Sequence, residues 1–407
     1  MAQEKIVAAL DIGTTKIVAL VGEMDAEGRL YVIGHGQSPA EGLRRGVVVN
    51  MEKTVSSITK AVEDAQMTSG TEIDRVTVGI AGEHIRSINS HGVVAVGRSD
   101  QEIAQADVNR AIEAARAVAI PVDREIIHVI PQAFAVDDQS GIKDPVGMSG
   151  VRLEVQAHIV TASVTTARNL YRALERCNLG VDHIVLESLA MSLVLLSDDE
   201  KDTGAVLVDV GGDLTNISIF FDGAIQHTAV VPLGGKNVSN DIAIGLRTSI
   251  EQAEALKLSH GAAMATLVNP EEMLRVPGMA GRPEREISQH VLASIIEPRM
   301  EEIYSLVYKE IKKVGATEAL AGGLVLTGGG AQLPGAVELA EQILDAPVRW
   351  GQIQGFEGTI DELDGTRFVT VHGLLRYGFD HEAVAGKSGG GMRGFLKKFE
   401  NWIQRQF

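Results

Sequence analysis

Val7-Ala-Ala-Leu-Asp11-Ile-Gly-Thr-Thr-Lys16-Ile-Val-Ala-Leu20 reads as a buried apolar strand ending in an aspartate, a glycine turn, and a second apolar strand. The same pattern returns as Val206-Leu-Val-Asp209-Val-Gly-Gly-Asp-Leu-Thr-Asn-Ile-Ser-Ile-Phe220. Backbone N–H groups hold phosphate oxygens well, and glycine lets the chain approach them without a Cβ in the way. The first turn offers Gly13, Thr14, Thr15 and Lys16; the second offers Gly211, Gly212 and Thr215. One such turn is common punctuation after a strand. Two of them, with a third glycine turn at Gly328, Gly329, Gly330 and Ala331, imply similar half-domains closing on one phosphate tail. Asp11 and Asp209 would be repelled by phosphate itself. They suit a hydrated Mg2+, which prefers oxygen ligands and keeps several waters.

Composition narrows the classes. The chain has 407 residues, room for two sizeable domains, and its 45% hydrophobic content with few aromatics fits a folded α/β protein. A net charge of −17 argues against nucleic acid as a partner, because phosphate-backbone affinity needs clustered Lys and Arg. Cys177 is the single cysteine, so an intrachain disulfide is impossible. It shares a helical face with Leu170, Ala173 and Leu174 and reads as core packing. The opening Met-Ala-Gln-Glu-Lys shows no charged-then-apolar leader, and no segment has the roughly 18 apolar residues of a membrane span. The eleven histidines show no paired-ligand spacing, so no zinc site is expected.

Along the chain, residues 5–20 predict strand–turn–strand and 29–34 a third strand. The stretch 54–66 predicts a helix with Val55, Ile58, Val62 and Ala65 on one face, and 76–82 a buried strand. The character changes from about residue 83. Ser99-Asp-Gln-Glu102 fits a capping box ahead of a helical pattern, Val108, Ala111, Ile112, Ala115 and Val118. Residues 151–160 alternate apolar and polar as a half-exposed strand, which puts His158 on the solvated face. A helix at 165–177, a strand at 183–186 and an apolar helix at 188–196 follow. After the second phosphate loop, 236–304 reads as mainly helical with loops at 260–283. Residues 383–391 read as a flexible glycine linker.

These motifs resemble the actin-like ATPase superfamily of actin, heat-shock chaperones and sugar kinases. Asp11–Lys16 and Asp209–Thr215 are similar to its two phosphate motifs, and Leu324–Pro334 to its adenosine motif. Residues 186–192 and 371–377 resemble its two connecting helices. The resemblance implies that Glu187 helps orient water near the γ-phosphate, as the third member of a catalytic set with Asp11 and Asp209. It implies that Glu254 and Lys257 flank the ribose and adenine, and that Gly234, Gly235 and Lys236 form another phosphate-proximal turn. The insertion near 83–163 and the Ser-Ile-Glu-Gln-Ala-Glu-Ala-Leu-Lys run narrow the match to the bacterial cell-division FtsA family.

The expected architecture is an α/β actin-like ATPase fold: two lobes, each built on a mixed sheet with helices. The first lobe is assigned to 1–83, 163–196 and 366–380, and a small α+β subdomain to 84–162. The second-lobe core is assigned to 197–235 and 305–365, with its own small subdomain at 236–304. A linker at 381–393 leads to an amphipathic helix at 394–407. In that helix Phe395, Leu396, Phe399, Trp402, Ile403 and Phe407 fall within an arc of roughly 140°. Lys397, Lys398 and Arg405 lie on the other face. Five basic residues and one acid lie between Lys387 and Phe407, reversing the sign of the rest of the chain. At about 21 Å long, such a helix would lie in an anionic membrane surface rather than span it.

The resemblance implies ATP and Mg2+ as ligands and self-association into filaments. It also implies the C-terminal peptide of the tubulin-like GTPase FtsZ as a partner of 236–304, and transmembrane division proteins at the insertion. The location implied is the cytoplasmic face of the inner membrane at the septum. Whether ATP is hydrolysed stays open at this point. Two alternatives of the same fold also remain: a small-molecule kinase or phosphatase, and a pilus-assembly ATPase related to FtsA.

Overall fold

The computed structural model describes residues 5–97, 101–278, 283–315, 321–357, 363 and 365–387. The first lobe opens with strands β1 (Lys5–Ile12), β2 (Lys16–Met24) and β3 (Leu30–Pro39), followed by a short hairpin, β4 (Leu43–Arg44) and β5 (Val47–Val48). Helix α1 (Met51–Ser69) begins where the Asn50 side chain accepts from Lys53 N. It ends at Gly70, whose φ of 68° provides the left-handed stop. Ile58, Ala61, Val62 and Ala65 bury against the sheet, as their spacing predicts, and β6 (Arg75–Ile80) follows.

The insertion then builds its own sheet from β7 (Arg86–Ala95), β8 (Arg124–Val136), β9 (Gln139–Ile142) and β10 (Arg152–Ser163), in the order β7-β10-β8-β9. Helix α2 (Gln105–Arg116) covers it. This helix starts later than the predicted capping box. Ala104 is its N-cap and Asp107 accepts from Ala104 N at 2.9 Å. Glu102 instead forms a β-bridge with Ser149, and Ser99 lies outside the described residues. Val118 falls beyond the helix end.

The chain returns to the first lobe through α3 (Val164–Arg176), β11 (Gly180–Leu186) and α4 (Glu187–Leu195), and crosses by α5 (Asp198–Thr203). The second lobe holds β12 (Ala205–Val210), β13 (Thr215–Phe221), β14 (Ala224–Val231), α6 (Gly235–Leu246) and α7 (Ile250–His260). A hairpin, β15 (Met273–Val276) with β16 (Arg285–Ser288), adds strand structure to a stretch read as helices and loops. Helix α8 (Gln289–Lys313), β17 (Leu324–Thr327), α9 (Ala336–Leu344) and β18 (Val348–Trp350) complete the lobe. Helix α10 (Val369–Lys387) returns to the first lobe. It continues through residues read as the start of a flexible linker, where Ala383 and Ala385 favour helix over coil.

The duplication seen in the phosphate loops extends to whole sheets. One runs β3-β2-β1-β6-β11 and the other β14-β13-β12-β17-β18. In both, the first three strands pair antiparallel and the last two add in parallel. Asp11 and Asp209 occupy the same register position, one residue before the end of the central strand. Helices α4 and α10 cross closely between the lobes: a Cβ on Gly373 would stand 2.8 Å from Met191 N.

His158 corrects the sequence reading. It is 1% exposed, because the insertion's sheet lies against edge strand β14 of the second lobe. Its Nδ1 is 2.7 Å from Asn89 Oδ1 and its Nε2 3.2 Å from Thr228 Oγ1. Cys177 is half-buried, with Sγ 3.6 Å from Val55 O.

Candidate active site between the lobes

Pairing β1 with β2 and β12 with β13 leaves each glycine turn projecting from the end of a hairpin, and the two turns meet. Asp213 N donates to Thr14 Oγ1 at 3.2 Å, and Lys236 Nζ donates to Thr14 O at 2.7 Å. Gly212 abuts the Thr15 methyl so closely that a Cβ could not be added. The turn at Gly234, Gly235 and Lys236 sits directly on the second loop. Gly235 N donates to Gly211 O at 2.9 Å and Lys236 N to Gly212 O at 2.8 Å.

The third glycine turn closes the other side. Gly328 has φ 89°, and a Cβ there would stand 2.5 Å from Val210 O and collide with Asp209 Oδ1. A Cβ on Gly235 would be 3.5 Å from Lys257 Nζ and 3.6 Å from Gly330 Cα. These contacts bring Gly211, Gly235, Lys257 and Gly330 together. Lys257 itself is spent inside the lobe, donating to Gly235 O, Ser239 Oγ and Glu254 Oε2 at 3.1, 2.9 and 2.7 Å. Thr215, expected among the phosphate donors, is fully buried and donates to Leu233 O at 2.9 Å. Its hydroxyl holds the Gly234 turn rather than facing the cleft. Ala331 is buried beneath the third turn. Gly329 flanks Arg367.

The electrostatics are severe. Burial raises Asp11 to about 7, with Lys16 opposing the shift and Asp209 adding to it. Burial also pushes Glu187 well above the usual carboxylate range, and both aspartates push it further. Asp209 is raised by burial, partly offset by the hydrogen bond from Asn216 Nδ2 at 3.0 Å. Lys16 is lowered to about 8 by burial, against the pull of Asp11. Its ammonium lies 3.4 Å from the centroid of the Phe368 ring and makes no hydrogen bond among the described residues.

Three desolvated carboxylates and an unbonded ammonium, walled by glycine turns, form a site short of positive charge and short of an acceptor. A divalent cation with a polyphosphate would meet both needs. Among the described residues no trio of acids or histidines is arranged to ligate an ion directly. Mg2+ held through its own waters is the form of that ion which the carboxylates of Asp11 and Asp209 would suit. A cavity of about 740 Å3 flanks the third turn, lined by Gln332, Trp350, Gly351, Gln352, Ile353, Gly365 and Thr366. None of the described residues that line it is ionisable.

Family comparisons agree with this architecture. A model described as cell division protein FtsA matches residues 206–373, and one described as the SHS2 domain inserted in FtsA matches 82–161. The chain is 44% identical to the cell division protein FtsA of Pseudomonas aeruginosa, across 99% of this chain and 98% of that one. The chain belongs to the FtsA cell-division family. It is also 36% identical to the Escherichia coli K12 FtsA, across 99% of this chain and 98% of that one. Two solved structures share the fold at low identity. They are a PilM–PilN type IV pilus biogenesis complex (TM-score 0.66, 15% identity, 91% of this chain and 98% of that one) and Spiroplasma citri MreB5 bound to ADP (TM-score 0.58, 12% identity, 94% and 99%). The fold is the actin-like ATPase fold, with the FtsA insertion.

Sequence reasoning missed several residues that this FtsA-family site uses. Asp213 bridges the loops, pairing with Lys236 Nζ at 3.0 Å. An acid inside a donor-rich phosphate loop was the available signal, since it needs a cation partner. Asn216 orients Asp209, and its place opposite that residue in the hairpin register was legible only once the register was known. Phe368 under Lys16, and Thr366, whose carbonyl accepts from Thr327 Oγ1 at 3.2 Å and Gly328 N at 3.3 Å, come from a distant segment. Nothing local marked them. The residues expected from the sequence to face a membrane, Phe395, Leu396, Lys397, Lys398, Phe399, Trp402, Ile403, Arg405 and Phe407, lie outside the described residues.

Proposed function

We propose that this chain is an ATP-binding cell-division scaffold that polymerises and holds the division ring to the inner face of the cytoplasmic membrane. The observation that carries the nucleotide part is the meeting of two matched loops over three desolvated carboxylates and the unbonded Lys16. Gly13, Thr14, Thr15 and Gly212 offer the phosphate tail backbone N–H groups; Gly211, Gly234 and Gly235, whose N–H groups are engaged within the turns, let the backbone come close to it, and Lys16 and Lys236 add charge. Gly328, Gly329, Gly330 and Ala331 carry the nucleoside end, with Glu254 and Lys257 beside it. When bound, Mg2+ supplies the charge that lets phosphates and carboxylates share one cleft. Glu187, whose proton burial and the two aspartates favour, would orient a water in this reading, so turnover should be slow and sensitive to the ion.

Three further parts complete the reading. The small subdomain at 236–304 receives the FtsZ C-terminal peptide; exposed apolar Ile244, Ile250 and Leu258 on α6 and α7 support a docking face there. The insertion at 84–162 meets transmembrane division proteins and neighbouring subunits. The tail at 394–407, outside the described residues, would lie in the membrane surface by its apolar and basic sequence pattern. Each large apolar tail residue could contribute about 1.5–3 kcal/mol on burial, and many copies in a filament would act by avidity.

AMPPNP titration with and without Mg2+, followed by electron microscopy on an anionic lipid monolayer, tests the reading. We expect Mg2+-dependent binding and ordered polymer. Loss of Phe395–Phe407 should abolish liposome sedimentation while leaving AMPPNP binding intact. Nucleotide-independent behaviour, or sedimentation unchanged by the deletion, would sink the corresponding part.

A further inference from the structure

Arg45 touches two regions that the sequence keeps far apart. It sits at the tip of the β4–β5 hairpin with φ 50°. Its backbone N–H donates to Asp213 Oδ2 at 3.0 Å, and its Nη1 donates to Glu83 Oε1 at 2.8 Å. Asp213 belongs to the second phosphate loop, and Lys236, its ion-pair partner, also holds the first loop through Thr14 O. Glu83 stands where the first lobe hands over to the insertion. Its carbonyl accepts from Arg86 at 2.6 Å, and the next carbonyl, His84 O, accepts from Arg124 of β8 at 2.8 Å. The hairpin is pressed onto this entrance, since a Cβ on Gly46 would meet Gly82 Cα at 2.8 Å.

We infer that Asp213, Arg45 and Glu83 form a relay that couples occupancy of the phosphate cleft to the set of the inserted subdomain. The inference rests on the nucleotide reading above and assigns its regulation. Asp213 is an acid in a loop otherwise made of donors. A polyphosphate carries the same sign and competes for Lys236 and for the loop N–H groups. As Asp213 gives way, the Arg45 N–H loses or follows its acceptor, and the Arg45–Glu83 pair passes that displacement to residues 81–86. The pair joins half-exposed side chains, so it adds little stability. Its contribution is register between hairpin and hinge. All three groups act as positioning residues; none is assigned to the ligand.

Hydrogen–deuterium exchange on the full chain, with and without AMPPNP and Mg2+, tests the relay. The unaltered chain should show a nucleotide-dependent change in peptides covering 81–86. Arg45→Ala and Glu83→Gln should each bind AMPPNP within about threefold of the original affinity yet lose most of that change. The exchanged pair, Arg45→Glu with Glu83→Arg, should restore it, which loss of folding alone would not. A full hinge response in Arg45→Ala, or no response at 81–86 in an unaltered chain that binds AMPPNP, overturns the relay and leaves the nucleotide reading standing. Failure of the unaltered chain to bind AMPPNP overturns both.

Discussion

His158 should make the docking of the insertion on the second lobe sensitive to acid. Asn89 Oδ1 can only accept, so Nδ1 carries the proton and the bare Nε2 takes the Thr228 hydroxyl. Both ring nitrogens are satisfied in the neutral state, inside an interface with 1% exposure. Burial, helped by nearby His227, lowers this histidine from 6.5 to about 4. The sign follows directly. Above about pH 6.5 neither the folded nor the unfolded state binds the proton and His158 costs nothing. As pH falls toward 4, the unfolded chain takes a proton that the folded one refuses, and stability is lost. The loss approaches about 3 kcal/mol at pH 4 and is about 2 kcal/mol near pH 5. His158→Gln should be less stable near pH 7.5, through imperfect packing, but should lack this part of the slope. Urea unfolding near pH 7.5 and near pH 5 should therefore show the gap between the two proteins shrink by about 2 kcal/mol. A gap that stays constant to within about 0.5 kcal/mol would refute the buried neutral histidine.

Asp11→Asn should stabilise the nucleotide-free protein near pH 7.5 by about 1–3 kcal/mol while weakening Mg2+-dependent AMPPNP binding. Because Asp11 is raised from 3.8 to about 7, the folded state keeps its proton through that window and stability falls as pH rises across it. The advantage of the variant should shrink near pH 5 in thermal melts; a pH-independent gap would contradict the assignment. Gly328→Ala should lower AMPPNP affinity at least tenfold and cost about 1–3 kcal/mol, since a Cβ meets Asp209 and Val210 at a positive φ; unchanged titrations would disprove that reading of the turn. Tyr304→Phe should be neutral or stabilising by up to about 1 kcal/mol, because its hydroxyl is fully buried with no partner among the described residues. A loss beyond 1 kcal/mol in urea unfolding would reveal a hidden partner.

Local chemistry was readable wherever a few consecutive residues carried it. The Asp-then-glycine turns and the face of α1 follow from short-range rules, and the structure has them. Readings failed where a distant surface intervened. His158 alternates correctly for a solvated face, but β14 covers that face. The box at Ser99–Glu102 had the right residue types, yet Glu102 is drawn into a bridge with Ser149 and the helix starts at Gln105. Thr215 has the chemistry of a phosphate donor, but the β12–β13 register turns its hydroxyl toward Leu233 O.

By itself the sequence determined that two similar units exist, where their aspartates and glycine turns lie, and that an insertion separates the halves of the first unit. Those features depend on propensity and on backbone freedom within a few residues. Only the tertiary structure decided that the two loops touch, that Asp213 pairs with Lys236 and accepts from Arg45, and that Glu187 joins Asp11 and Asp209 in one desolvated cluster. Ionisation and contact across a cleft depend on burial and on which distant groups share it. Neither is a property of residues adjacent along the chain.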